Sequence, residues 1–145
     1  MAKTQTTTKT GDAAVDGLLA GLGAGVLMAI VIVLSGLFTG AGIPETLAMF
    51  TPLGPSSPLV GTFSHLAVSA IYGAIFGVLY TSLRGRLASW IGGALYGMLL
   101  FLIARMALLP GTGSALEAIP PTILTAAHLV YGLALGLLLG RQGGA

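Results

Sequence analysis

The sequence contains no cysteine and very few charged residues. The lack of cysteine excludes disulfides, iron–sulfur clusters, thiolate metal sites and cysteine nucleophiles. Only 7% of the 145 residues are charged, whereas 55% are hydrophobic and the mean hydropathy is +0.98. Because a soluble domain carries about a quarter charged residues, this chain has too little polar surface to face water on all sides. The composition therefore indicates one small integral membrane domain.

The scarcity of charge and the missing motifs also exclude several functions. Six basic and four acidic residues give a net charge of +2, too little and too scattered for nucleic-acid binding. The sequence has no HExxH, no P-loop, no GxSxG and no paired carboxylates within its apolar runs. We therefore expect no enzymatic activity, no metal site and no nucleic-acid partner. The expected partners are the lipid bilayer and either further copies of the chain or other membrane subunits.

The apolar runs predict an all-α, polytopic membrane protein. Crossing a bilayer takes about 20 apolar residues, and the proline- and glycine-rich stretches at 40–58 and 110–121 divide the runs. Four spans result, at about 16–38, 59–82, 88–109 and 122–140. The threonine-rich residues 1–11 are predicted to be a disordered tail, and 12–145 a single domain. Pro44 to Phe50 predicts an interfacial half-helix whose Ile43, Leu47 and Phe50 face lipid.

The basic residues predict the orientation of these spans. In the predicted topology one end of the bundle carries almost all of the positive charge and the opposite end carries Glu45 and Glu117. Short loops rich in Lys and Arg stay in the cytoplasm, so both termini are expected there, in a multi-pass protein of the inner (plasma) membrane. The basic residues concerned are Lys3, Lys9, Arg84, Arg86 and Arg141.

Two parts of the chain share a pattern, which predicts an internal repeat. In the second and fourth spans, Tyr72-Gly73 with Gly77 matches Tyr131-Gly132 with Gly136. A similar match aligns Gly21 in the first span with Gly93 in the third. The pattern predicts two helical hairpins of the same orientation, a parallel repeat. In these motifs the chain resembles small four-helix bacterial membrane proteins of unassigned function with a duplicated helical hairpin. The resemblance implies this architecture and no particular activity.

Glycines at four-residue spacing mark one stripe on each predicted span. Such stripes let helix backbones approach closely in a membrane. They favour either a compact four-helix bundle or a surface that packs against other subunits or a flat ligand. The candidate helix-packing residues are Gly21, Gly25, Gly73, Gly77, Gly93, Gly97, Gly132 and Gly136.

Three ionisable residues fall within the spans, where such groups are costly and are candidates for function. They are His65, Arg105 and His128. From the rise of a helix, His65 and Arg105 should share one level near the outer face, with His128 roughly 6 to 9 Å deeper. With Glu45 and Glu117 they form a candidate polar cluster.

The two carboxylates and the arginine of this cluster have several interpretations. Arg105 can extend to the outer headgroups, pair with Glu117 or Glu45, or bind an anionic ligand. Glu117 also fits a capping box with Ser114, which stands one helical turn before it.

The two histidines have three interpretations. They can be structural, with neutral rings bonded to Ser69, Tyr72 or the backbone. They can be axial ligands of a haem or chlorin, although the expected difference in depth disfavours two ligands on one iron. The third interpretation is a path for protons or ions, lined by His65, Ser69, Tyr72 and Tyr80 along one face of the second span.

Three functions follow in order of preference. The first is a non-catalytic accessory or structural subunit of a membrane complex or homo-oligomer, packed through its glycine-rich faces. The second is an oligomeric transporter or channel for a small solute, proton or ion. The third is a haem- or chlorin-binding subunit in electron transfer or light harvesting.

Overall fold

The computed structural model describes residues 3–52, 56–83 and 87–142, and every regular element in these ranges is helical. Four helices are long and apolar enough to span a membrane, as the apolar runs predict. The α-helices are α1 (Lys3–Phe38), α2 (Ile43–Ala48), α3 (Pro58–Leu83), α4 (Ser89–Ile103) and α5 (Pro121–Gln142). The four candidate spans are α1, α3, α5 and α4 together with the π-helical turn Ala104–Leu108 that continues it. The connection to α5 holds one 3₁₀ turn, Ala115–Ala118.

The start of α1 differs from the prediction. The helix begins at Lys3, so it includes most of residues 1–11, which the sequence predicts to be a disordered tail. Once a helix has nucleated, each added residue fixes little further backbone for one more hydrogen bond. The apolar span therefore extends its helix into the polar stretch. Arg84 and Arg86, on which the predicted orientation partly depends, lie outside the described residues.

Glycine and proline set the turn between α1 and α2. Gly40 has a φ of 86°, and the N–H groups of Gly40 and Ala41 donate to the carbonyls of Leu37 and Gly36. These two bonds form a Schellman motif, which ends α1. Pro44 stands in the first turn of α2, where its missing N–H costs no hydrogen bond.

The short helix α2 confirms the predicted half-helix but not the environment of all its apolar side chains. Ile43 is half-exposed, as expected for a lipid-facing residue. Phe50 is buried and stacks on His65. The prediction that Phe50 faces lipid is therefore wrong. Its ring follows the end of α2, where the chain turns back over the bundle towards α3.

The helices pack as two close pairs, α1 with α3 and α4 with α5, and α1 also packs against α5. Glycines let the backbones touch within each pair. A Cβ on Gly21 would meet the backbone of Ser69 and Gly73, and a Cβ on Gly93 would meet that of Gly132 and Gly136. The glycine stripes are therefore used inside the chain. They are not available as a surface for other subunits.

The contacts in the two pairs correspond closely, with one change from the sequence pattern. Gly17 meets the backbone of Gly73 in the way that Gly93 meets that of Gly132. In the structure Gly17 is thus the counterpart of Gly93, whereas the sequence pattern aligns Gly93 with Gly21, one helical turn later. Gly25, which the sequence groups with the packing glycines, instead faces the side chain of Ser69.

Neighbouring glycines provide a matched test of this packing. We expect Gly21→Ala to destabilise the protein by about 1–3 kcal/mol, the usual cost of overpacking a close contact. Gly23→Ala in the same helix should be neutral or slightly stabilising, because its Cβ would meet only a Leu138 methyl at 3.5 Å and alanine favours helix. Gly93→Ala and Gly92→Ala form the equivalent pair in α4. Thermal unfolding in one detergent measures all four variants. Equal stability of Gly21→Ala and Gly23→Ala would contradict backbone contact in this pair.

Candidate ligand-binding site

A cavity of about 370 Å³ lies between α3 and α4. The two segments that connect the helices, residues 50–52 and 112–116, both contribute to its wall, and we call this end of the bundle the loop end. Its volume is in the range of small-molecule sites. The wall is mainly apolar, with polar side chains that come from α3, from α5 and from the loops. The helices contribute Ser64, His65, Ser69, Tyr72, His128 and Tyr131, and the loops add Thr51, Thr112 and Ser114.

The cavity arises because α3 and α4 are in little contact with each other. Their side chains meet where the rings of Phe76 and Tyr96 pack with centroids 4.8 Å apart. Closer to the loop end, α4 gives way to the π-helical turn, whose Ala104 and Leu108 line the cavity. Such turns are rare and are often found at functional sites. The small side chain of Ala104 leaves space that a larger one would fill.

His65 is fixed by two neighbours. Its Nε2 lies 2.9 Å from the carbonyl oxygen of Gly25 in α1. Because a carbonyl can only accept, Nε2 carries the proton and donates. The ring stacks on Phe50 with centroids 4.4 Å apart. His65 thus joins α3 to α1 and to the segment after α2.

His128 is fixed in the opposite tautomer. Its Nδ1 lies 2.8 Å from the carbonyl oxygen of Leu124, one turn earlier in α5, so Nδ1 donates. The edge of Phe101 in α4 lies against this ring, with centroids 6.0 Å apart. The rings of His65 and His128 both donate to backbone carbonyls. This agrees with the interpretation of the histidines as structural residues.

Two tyrosines connect α3 to the second helix pair. The Tyr131 hydroxyl donates to the carbonyl oxygen of Ser69 at 2.7 Å. The Tyr96 hydroxyl donates to the carbonyl oxygen of Tyr72 at 2.9 Å. The Tyr72 hydroxyl makes no hydrogen bond within the residues that the structure describes, and Tyr72 lies in the cavity wall.

The other members of the predicted polar cluster lie away from this site. Arg105, Glu45 and Glu117 are exposed and do not line the cavity. Within the described ranges, Arg105 pairs with neither carboxylate. Its place in the π-helical turn directs it away from the cavity that Ala104 and Leu108 line. The structure therefore brings together His65 and His128 only.

The predicted capping box forms only in part. The Ser114 hydroxyl accepts from the N–H of Leu116 and caps the 3₁₀ turn. Glu117 does not return a bond to the N–H of Ser114, which donates to the Thr112 hydroxyl instead. That same Thr112 hydroxyl donates to the carbonyl oxygen of Leu109 at 2.8 Å and lies 3.2 Å from the Glu117 carboxylate.

Several residues of the site carry no clear signal in the sequence. In the sequence, Met28, Ile32 and Leu100 cannot be distinguished from the other apolar residues of the spans. Ala104 is one of many small residues there. Phe50 stands in a loop, far along the chain from the His65 ring on which it stacks. Only the arrangement of helices shows that they meet. Among the described residues, no group of three or more His, Asp or Glu could hold a metal ion.

The sequence matches a family of unknown function (DUF6789) over residues 11–145. The match covers almost the whole chain, so the chain belongs to this family. Neither a curated protein nor a solved structure matches it. A functional proposal for this chain therefore depends on the geometry of the cavity.

The two tautomers can be observed directly. At mildly alkaline pH, where an imidazole is neutral, we expect ¹⁵N spectra of histidine-labelled protein to show one ring protonated at Nε2 and one at Nδ1. His65→Phe should remove the first set of signals and His128→Phe the second. A spectrum with both rings in the same tautomer, or exchanging between tautomers, would contradict the hydrogen bonds to Gly25 and Leu124.

Proposed function

We propose that this member of a family without an assigned function is a non-catalytic, multi-pass membrane protein that holds a lipid-soluble molecule in the cavity between α3 and α4. The observation that carries the proposal is the cavity itself. Both histidines line it, one from each helix pair, in a bundle whose other contacts bring backbones together. A protein that served only as a packed structural element would gain from filling such a space.

The position of the cavity mouth supports entry from the bilayer. Val68 on α3 and Leu108 after α4 both line the cavity and are 49% and 52% exposed. An apolar opening on the side of a membrane-spanning bundle faces lipid chains and not water. A ligand that dissolves in the bilayer can enter there without crossing a polar surface.

The interior beyond the cavity favours binding over transport. The wall farthest from the loop end includes Tyr72 and Tyr131, and the next turns place Phe76, Tyr96 and Leu135 in the interior. These last three side chains are buried, and Leu135 has no exposed surface at all. The cavity is closed on that side. A transporter built from this chain would need a path shared between subunits.

The glycine contacts change which surface the accessory-subunit hypothesis can use for an interface. Because the stripes are occupied within the chain, any interface with another subunit would use side chains on the outer faces of the bundle. We propose that its role in a larger membrane complex is to hold the bound molecule for its partner. The lysine and arginine pattern supports cytoplasmic termini, and in that orientation the cavity would lie in the outer half of the membrane.

A cavity-filling substitution with a matched control tests this function. We expect Ala104→Leu to displace the bound molecule, because its added carbons enter the cavity. Ala107→Leu, the same change at an exposed position of the same turn, should retain it. Wild type and both variants are purified in mild detergent and compared by native mass spectrometry and by analysis of extracted small molecules.

The expected result is a lipid-soluble species present with wild type and Ala107→Leu and reduced at least tenfold with Ala104→Leu. Equal amounts with all three proteins would contradict the proposal, since the molecule would then lie outside the cavity. An absorption spectrum of the same samples decides the haem or chlorin alternative. A Soret or chlorin band lost on His65→Phe or His128→Phe would favour that alternative.

A further inference from the structure

The hydrogen-bonding state of the two imidazoles limits what the cavity can hold. Each neutral ring has one N–H donor and one bare nitrogen that only accepts. In both rings the donor is already bonded to a backbone carbonyl, of Gly25 for His65 and of Leu124 for His128. Neither ring has a second hydrogen-bond partner among the described residues. In its neutral form each histidine therefore has only an acceptor left, Nδ1 in His65 and Nε2 in His128.

The surroundings make these acceptors selective. The wall of the cavity that both rings line is largely apolar and includes Met28, Leu100 and Ala104. A ligand that brings a hydroxyl to a bare nitrogen gains a hydrogen bond. An isosteric ligand that brings only an acceptor leaves the nitrogen unpaired and faces it with a second lone pair. Sites that require a hydrogen bond discriminate strongly between such pairs of ligands.

The two histidines belong to different walls of the cavity, His65 to α3 and His128 to α5. A ligand that reaches both needs donors on two sides of a small body. Phe50 stacks on the His65 ring and also lines the cavity, so this part of the wall suits a flat body. The apolar mouth at Val68 and Leu108 lets an attached hydrocarbon chain remain in the bilayer.

We propose that the ligand is a lipid-soluble ring with two hydroxyl groups, a hydroquinone, and that His65 and His128 accept its hydrogen bonds. This inference rests on the proposed function and adds the chemical class of the ligand. Tyr72 and Ser64, which carry hydroxyls, also line the cavity. A hydroxyl can donate or accept, so these two groups hold either redox form and do not select between them. The selection of hydroquinone over quinone comes from the imidazoles of His65 and His128.

Three ligands with one ring skeleton test the inference on the wild-type protein. They are a short-chain hydroquinone, the matching quinone and the hydroquinone dimethyl ether, of which only the first donates hydrogen bonds. Binding is measured by equilibrium dialysis against protein in nanodiscs, anaerobically, at mildly alkaline pH. We expect the hydroquinone to bind at least tenfold more tightly than either of the others. Comparable affinities for all three would overturn the inference and leave the proposed function intact.

Variants then assign the preference to the two rings. His65→Phe and His128→Phe each remove one acceptor and keep a flat ring, so each should reduce the preference for hydroquinone over quinone. Arg105→Gln, at an exposed position outside the cavity, should leave the preference unchanged. If either histidine variant fails to fold, the three-ligand comparison on wild type still decides the question. A preference that survives both histidine variants would overturn the assignment to the imidazoles.

The remaining outcomes separate the two proposals. If none of the three ligands binds while wild type still carries another molecule that Ala104→Leu displaces, the hydroquinone is wrong and the binding function stands. If none binds and no molecule is displaced by Ala104→Leu, both fail. A haem or metal ion bound through the histidines would also overturn the inference, because the bare nitrogens would then be its ligands.

Discussion

The contact of one helix backbone with another at the glycine stripes is the constraint on which the rest of the structure depends. Among lipid chains an apolar side chain gains little by moving from lipid to protein, so helices associate through close packing and hydrogen bonds. Gly21 with Gly73 and Gly93 with Gly132 bring α1 to α3 and α4 to α5 until no side chain fits between them. Each pair is thereby a closely packed unit, and the positions of the remaining side chains follow from how the two units meet.

The two units meet through α1 and α5 and through tyrosine hydroxyls, and they leave α3 and α4 apart at the loop end. Tyr131 and Tyr96 extend across the bundle to backbone carbonyls of α3, so the join needs no further approach of the helices. The space that remains is the cavity. The glycines bring the helices together within each pair, but they do not bring α3 closer to α4. The same arrangement therefore gives close packing within the pairs and an open space between them.

Sequence patterns predict the four apolar spans and most of the packing glycines, since both follow from local composition. Hydropathy and prolines locate four helices, and four-residue glycine spacing locates their contacts. The start of α1 at Lys3 is missed because polar residues can extend a helix that an apolar segment nucleates. Phe50 is misplaced because its environment depends on the His65 ring, which belongs to another helix. Arg105 is grouped with the histidines by depth alone, and depth carries no information about which face of a helix a side chain occupies.

The histidines show the same limit at the level of single atoms. The sequence marks both as candidates, but whether an imidazole offers a donor or an acceptor depends on which of its nitrogens a backbone carbonyl engages. His65 uses Nε2 on a carbonyl of another helix, and His128 uses Nδ1 on a carbonyl of its own. The two hydrogen-bonding arrangements differ, but each leaves one ring nitrogen without a proton and without a hydrogen bond to the described residues. Two acceptors in one apolar space constrain a ligand more than either would alone, because a molecule that satisfies one of them by chance has no reason to satisfy the second.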